Sequence, residues 1–228
     1  MSLSFSQILA LLICWLAYAT LHSLLASLWL KRRVAARWPH LAPAYRLAFN
    51  VLAVLLLLPP VWLTYAWRGP LLWSWDGLWA WLANGLALAA MGGFVWSTRH
   101  YDMAVFAGSA QWTARNGAAE DHGGLRLSPL HRHVRHPWYS LGLVILWTRD
   151  MDEARLLSAL CITAYLWLGS LLEERKLLAF HGEAYARYRQ RVPGLVPWPG
   201  RSLSADEARA LCAADEAQET TPMRGGGG

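Results

Sequence analysis

Long stretches of this chain lack charged side chains. In its 228 residues, Ile8 to Leu30, Leu47 to Trp67 and Gly77 to Thr98 contain no Asp, Glu, Lys or Arg, and Arg155 to Leu172 has none after its first residue. Such runs exclude the residue distribution of a soluble domain, because about 20 mainly apolar residues suffice for a helix to cross a bilayer. Trp138 to Thr148 is a shorter fifth block. The expected fold is all-α: a polytopic membrane protein with about five transmembrane helices, the fourth the shortest. No basic region precedes the first block, which is also too long for a signal-peptide core, so cleavage is not expected. Cys14, Cys161 and Cys212 form no CxxC pair and no metal-ligand spacing. That speaks against a disulfide framework and a zinc site, and no metal is expected.

The formal charge of +6 suggests nucleic acid until its distribution is read. Lys31, Arg32, Arg33, Arg37 and Arg46 fall in the first connection, and Arg99, Arg115, Arg126, Arg132 and Arg135 in the third. Lys176, Arg187, Arg189 and Arg191 follow the last apolar block, whereas the second connection holds only Arg68 and Asp76. Positive charge on alternate connections is the positive-inside pattern. It places the N-terminus outside and the C-terminus in the cytoplasm, and it removes the case for a nucleic-acid partner.

The chain divides into N-terminal transmembrane helices (1–98), a segment rich in unusual motifs (99–200) and a polar, flexible tail (201–228). In the first part His22 is an ionisable group well inside a span. It is either a neutral histidine satisfied by a neighbouring helix or serine, or a group that handles substrate or protons. Tyr45, Arg46 and Asn50 share a face of the second helix. They are substrate candidates, although interfacial anchoring accounts for the first two. In the second part a short amphipathic helix is expected around Val105 to Trp112. In the tail, Ser204 and Glu207 have the spacing of a helix-capping box, so a short surface helix is expected there.

Two motifs carry chemistry. In Arg135-His136-Pro137-Trp138-Tyr139, Pro137 is suited to begin a helix and His136 is biased away from helical geometry. This places an imidazole, a phenol and a guanidinium beside free backbone N–H groups, which favour an anion such as a carboxylate. The plainer account is snorkelling of Arg135, Trp138 and Tyr139 at the membrane edge. Glu173 and Glu174 follow the last apolar block. Adjacent helical residues point about 100° apart, so only one of them need face a site. A carboxylate there can accept hydrogen bonds from sugar hydroxyls or an ammonium. The plainer account pairs Glu174 with Arg175 or Lys176. Tyr185 and Tyr188 share a face, as do Arg187 and Arg191; a basic surface helix explains the arginines.

RHP-x-Y, then EER-x-L at 173–177, then G-x-x-Y-x-x-Y-x-x-x-VP at 182–193, resembles the integral membrane methyltransferases typified by isoprenylcysteine carboxyl methyltransferase and the bacterial phospholipid methyltransferases. LHSLLAS, YRLAFN and Tyr101 to Gly108 (YDMAVFAG) are more similar to the methanethiol S-methyltransferase and NnrU-like branch. The resemblance implies S-adenosylmethionine as cofactor, bound on the cytoplasmic side of a bacterial inner membrane. It implies a small or lipophilic acceptor, a thiol among the candidates, that arrives among membrane lipids. Arg126, His131, Arg135, His136, Pro137, Tyr139, Glu173 and Glu174 become cofactor-binding candidates. Glu173, His131 and His22 become catalytic candidates, the two histidines as bases for a thiol, and His22, Tyr45, Arg46 and Asn50 substrate candidates. Two positions depart from the family. His131 in SPLHRH stands where a tyrosine is common, and Gly169 stands where prenylcysteine enzymes carry an arginine for the substrate carboxylate. The rival readings are an NADPH-dependent membrane sterol-type reductase and a non-catalytic NnrU-like membrane protein.

Overall fold

A computed structural model describes residues 2–115 and 124–220 of the chain, with side chains to 217. Residues 221–228, the end of the tail expected to be flexible, lie outside the described residues. Among the described residues, four helices are long and apolar enough to cross a membrane: α1 (Phe5–Ala26), α3 (Tyr45–Ala66, entered through a 3-10 turn at Pro39–Ala44), α4 (Leu78–Ser97) and α8 (Glu153–Arg191). Their apolar side chains are mostly exposed, Leu16, Trp62, Trp81 and Val95 among them. Such continuous apolar surface belongs in hydrocarbon, so the protein is an integral membrane protein. The expected count of five changes at α7 (Pro137–Trp147). Its 11 residues rise about 16 Å, half of the ~30 Å hydrocarbon core.

The chain forms two compact units, 1–121 with 143–165, and 122–142 with 166–228. In the first unit Ser4 and Gln7 form a capping box that starts α1. Ser27 turns to extended geometry after Ala26, and its hydroxyl caps α2 (Leu28–Arg37), which carries the basic cluster Lys31 to Arg33. α1 packs on α3 through Leu11, Trp15, Leu57 and Val61, and the first turn of α8 adds Ala154. One end of this unit is closed by a short ribbon. β1 (Leu71–Trp73) pairs antiparallel with β2 (Met151–Asp152), and the Leu3 amide donates to Glu153 at 2.6 Å. The N-terminus and the connections 67–77 and 149–152 therefore share one face. No alternation marks a two-residue strand in the sequence, and the ribbon was not expected.

The amphipathic helix expected at 105–112 is two helices, α5 (Met103–Ala107) and α6 (Ser109–Ala114), divided at Gly108. Gly108 has φ of 89°, and a Cβ there would sit 2.6 Å from the Leu47 amide nitrogen, so only glycine fits against α3.

In the second unit α8 continues past Glu173 and Glu174 to a kink at Gly182, whose φ of 48° and ψ of −123° suit glycine. The kink turns residues 183–191 so that Tyr185 and Tyr188 are buried, with Leu125, Val192, Leu203 and Ala208 completing a core. Where a short surface helix is expected in the tail, α9 (Ala205–Thr220) forms. Ser204 and Glu207 cap it reciprocally, at 2.7 and 3.1 Å. Asp215, buried on its inner face, accepts from the Leu125 amide at 2.6 Å and lies 2.9 Å from His181 Nδ1. The apolar positions Ala208 and Leu211 supply the packing face that makes this segment part of the unit.

Candidate active site

The two motifs meet in the second unit. Backbone pairing brings them together: the Arg135 amide donates to the Pro193 carbonyl at 2.8 Å and the His136 amide to Gly194 at 3.1 Å. Pro137 then begins α7, and the Ser140 hydroxyl lies within hydrogen-bond distance of the carbonyls of His136 and Leu195. This fixes the entry turn against the chain that follows α8.

Glu173 and Glu174 have opposite surroundings. The Glu174 side chain is 5% exposed, and its Oε1 accepts from Arg135 Nε at 2.9 Å and Nη2 at 2.7 Å. His136 Nε2 lies 3.2 Å from the same oxygen, and Arg189 Nε lies 3.5 Å from Oε2. The Glu173 side chain is 47% exposed. Its Oε2 accepts from the Tyr139 hydroxyl at 3.2 Å and lies 3.4 Å from His136 Nδ1. His136 thus bridges the two carboxylates, and its ring stacks on Tyr139 at 5.3 Å. Arg135 also donates to the carbonyls of Arg189 and Val192. A guanidinium has five N–H donors, so Arg135 has little left for a ligand. It is a clamp that joins Glu174 to the turn after α8, whereas a carboxylate-holding role was expected for it.

His131 sits in a 3-10 turn, Pro129–Arg132, that Ser128 caps. Its Nδ1 lies 3.3 Å from the Ser128 amide and 2.8 Å from the Ser128 hydroxyl. A backbone N–H can only donate, so Nδ1 accepts and the neutral ring carries its proton on Nε2. Burial, and then the nearby His136, push its pKa down to about 4, against the opposing pull of Glu173. The ring therefore stays neutral in the fold while the unfolded chain takes up a proton near pH 6.5. Its contribution to stability is complete above pH 6.5 and is lost as the pH falls toward 4. Unfolding midpoints measured from pH 7 to 4 should fall, and His131→Gln should flatten that fall. Equal slopes would contradict the assignment.

Other expected site residues are placed elsewhere. Arg126 is exposed on the extended run before Ser128. His22, Tyr45, Arg46 and Asn50 belong to the first unit. The Tyr45 hydroxyl donates to the Leu25 carbonyl at 2.6 Å, and Arg46 Nε to the Phe106 carbonyl at 3.3 Å. The Asn50 amide donates to the Phe106 and Ala107 carbonyls at 3.1 and 3.0 Å, closing the end of α5. These bonds give all three a structural use. His22 Nδ1 lies 2.6 Å from the Tyr165 hydroxyl, inside a ring of Tyr18, Phe49 and Tyr165.

Sequence reading missed the Tyr185 hydroxyl. The residue is 1% exposed, and its oxygen is buried without a hydrogen-bond partner, close enough to Glu174, Arg135, Glu173 and Arg189 to feel their charges. A buried unpaired hydroxyl costs about 1–3 kcal/mol, which a ligand acceptor would offset. Its spacing from Tyr188 was visible; its burial depends on the kink at Gly182.

No family model and no solved structure matches the chain. Over 196 residues it is 32% identical to the methanethiol S-methyltransferase of Mycobacterium tuberculosis, a match covering 81% of this chain and 75% of that protein. Over 188 residues it is 34% identical to methanethiol S-methyltransferase 2 of Bradyrhizobium diazoefficiens, covering 79% and 69%. A stretch of 72 residues is 40% identical to the methanethiol S-methyltransferase of Crocosphaera subtropica. That stretch covers 31% of this chain and only 28% of the relative's length.

Proposed function

The chain belongs to the methanethiol S-methyltransferase family, and from that membership we propose that it transfers a methyl group from S-adenosylmethionine to a small thiol. The relatives are named for methanethiol, which is the first acceptor to test. The observation that carries the reading is the contrast between the two glutamates. Glu174 is consumed by the fold, while Glu173 is half exposed and oriented by Tyr139 and His136. The cofactor has ribose hydroxyls and an ammonium that need an acceptor, and a carboxylate that needs donors. Glu173 provides the acceptor, and the orphaned Tyr185 hydroxyl provides a donor, so the residues fit the group.

When bound, S-adenosylmethionine supplies an electrophilic methyl carbon to the thiolate sulfur, which displaces S-adenosylhomocysteine in line. In this reading Glu173 holds the cofactor, Tyr139 and His136 fix the rotamer of Glu173, and Arg135 with Glu174 hold the supporting turn. His131 serves by position, because a ring that stays neutral to about pH 4 is a weak base for a thiol. The positive charge of the connections supports a cytoplasmic position for this face.

Calorimetry on detergent-purified protein should show binding of S-adenosylmethionine and not NADPH. Gas chromatography should then show dimethyl sulfide formed from methanethiol. Preference for NADPH, or cofactor binding without product from any small thiol, would overturn the reading.

A further inference from the structure

The ribbon end of the first unit holds a cavity of about 410 Å³ that shares no residue with the Glu173 constellation. Part of its wall is a closed hydrogen-bond chain. Trp15 Nε1 donates to the Ser158 hydroxyl at 2.9 Å, and the Ser158 and Thr64 hydroxyls are 2.6 Å apart. Thr64 gives its proton to the Pro60 carbonyl at 2.7 Å, so Ser158 donates to Thr64 and this chain has no donor to spare.

The mouth is different. Trp75 Nε1 is buried without an acceptor. Arg149 bonds Asn84 Oδ1 at 2.9 Å and the Ala83 carbonyl at 3.4 Å, and meets no carboxylate among the described residues. Asp150 accepts from the Trp75 amide through Oδ1 at 3.0 Å, which leaves Oδ2 uncommitted. Arg155, by contrast, is settled by Asp152 at 3.4 Å, the Asp150 carbonyl at 3.2 Å and the Tyr65 ring at 5.3 Å. Deeper than the Ser158 and Thr64 hydroxyls the lining is apolar: Val61 lies three residues farther from the ribbon than Thr64 on α3, and Ile162 four residues farther than Ser158 on α8. Ile162 lies nine residues into α8, about 13 Å along the helix, so the cavity reaches hydrocarbon depth.

A guanidinium with no carboxylate partner, an unpaired indole N–H and a carboxylate oxygen without a partner, above an apolar lining, define a zwitterionic amphiphile. We propose that this cavity is a binding site for a membrane lipid whose headgroup carries both phosphate and a primary ammonium. The phosphate meets Arg149 and the Trp75 indole N–H, the ammonium meets Asp150, and an acyl chain lies along the apolar wall. A purely anionic headgroup would leave Asp150 opposed, and a quaternary ammonium has no N–H to give it.

The test is native mass spectrometry of the full chain in detergent, titrated with phosphatidylethanolamine, phosphatidylglycerol and phosphatidylcholine of matched acyl chains. One phosphatidylethanolamine should be retained with about tenfold preference over the other two, a difference of about 1.4 kcal/mol. Asp150→Asn should erase that preference while phosphate lipids still bind. Arg149→Gln should weaken all three, and unchanged circular dichroism would exclude misfolding. Equal retention of the three lipids by the wild type, or a preference that survives both substitutions, would overturn the proposal.

Discussion

Glu174→Ala is expected to destabilise the protein by about 3–5 kcal/mol, the range for stripping one partner from a buried ion pair. The magnitude follows from what is left behind. The Arg135 side chain is 12% exposed and directs Nε and Nη2 at the lost oxygen. His136 loses a partner at the same time, as does Arg189. The carbonyls of Arg189 and Val192 still accept from Arg135, but neutral acceptors do not balance a desolvated cation. Arg135→Ala should cost a similar amount, because it leaves Glu174 buried with only His136 and the half-exposed Arg189. The double variant should be little worse than either single one, a coupling that a double-mutant cycle reads directly. Equilibrium unfolding in mixed detergent micelles supplies the measurement. Additive losses would mean that Arg135 and Glu174 act independently, and the clamp would have to be abandoned.

The membrane helices were legible because a bilayer demands one pattern, and charge-free length reports it. The count fell at α7, since an apolar run is equally the mark of a short helix that other helices shelter. The Ser204–Glu207 cap was legible because it is local: three residues apart, each side chain answers the other's amide. The length of α9 was not, because its packing depends on Leu125 and His181, far away in the chain. At the site, the importance of Glu173 and Glu174 could be read from their place after an apolar run, but which of them faces inward could not. That choice is made by Arg135, whose position depends on pairing with Pro193 and Gly194. Asn50 shows what a sequence leaves open. An amide in an apolar helix invites a substrate, yet its donors close the end of α5.

Glu173→Ala tests the other side of the contrast and should affect binding, with the fold largely unchanged. Its side chain is half exposed, and the partners it would release, the Tyr139 hydroxyl and a His136 nitrogen, keep the mutual stacking of their rings. The loss should therefore appear in cofactor affinity. A charge-assisted hydrogen bond contributes about 1.5–3 kcal/mol, so loss of the carboxylate should weaken S-adenosylmethionine by about 100-fold. Glu173→Gln retains an acceptor oxygen without the charge and should fall between the wild type and the alanine variant. Tyr139→Phe frees the carboxylate from one of its two tethers and should cost less again, about tenfold, because it alters the orientation of Glu173 and leaves its charge in place. Calorimetric titration of the three variants beside Glu174→Ala separates the roles. The proposed assignment requires Glu173→Ala to stay folded and fail to bind. Glu174→Ala should lose stability first, and affinity only as the folded fraction declines. If the two alanine variants lost stability and affinity in parallel, Glu173 would be a second strut of the same clamp, and the cofactor's acceptor would have to be sought elsewhere.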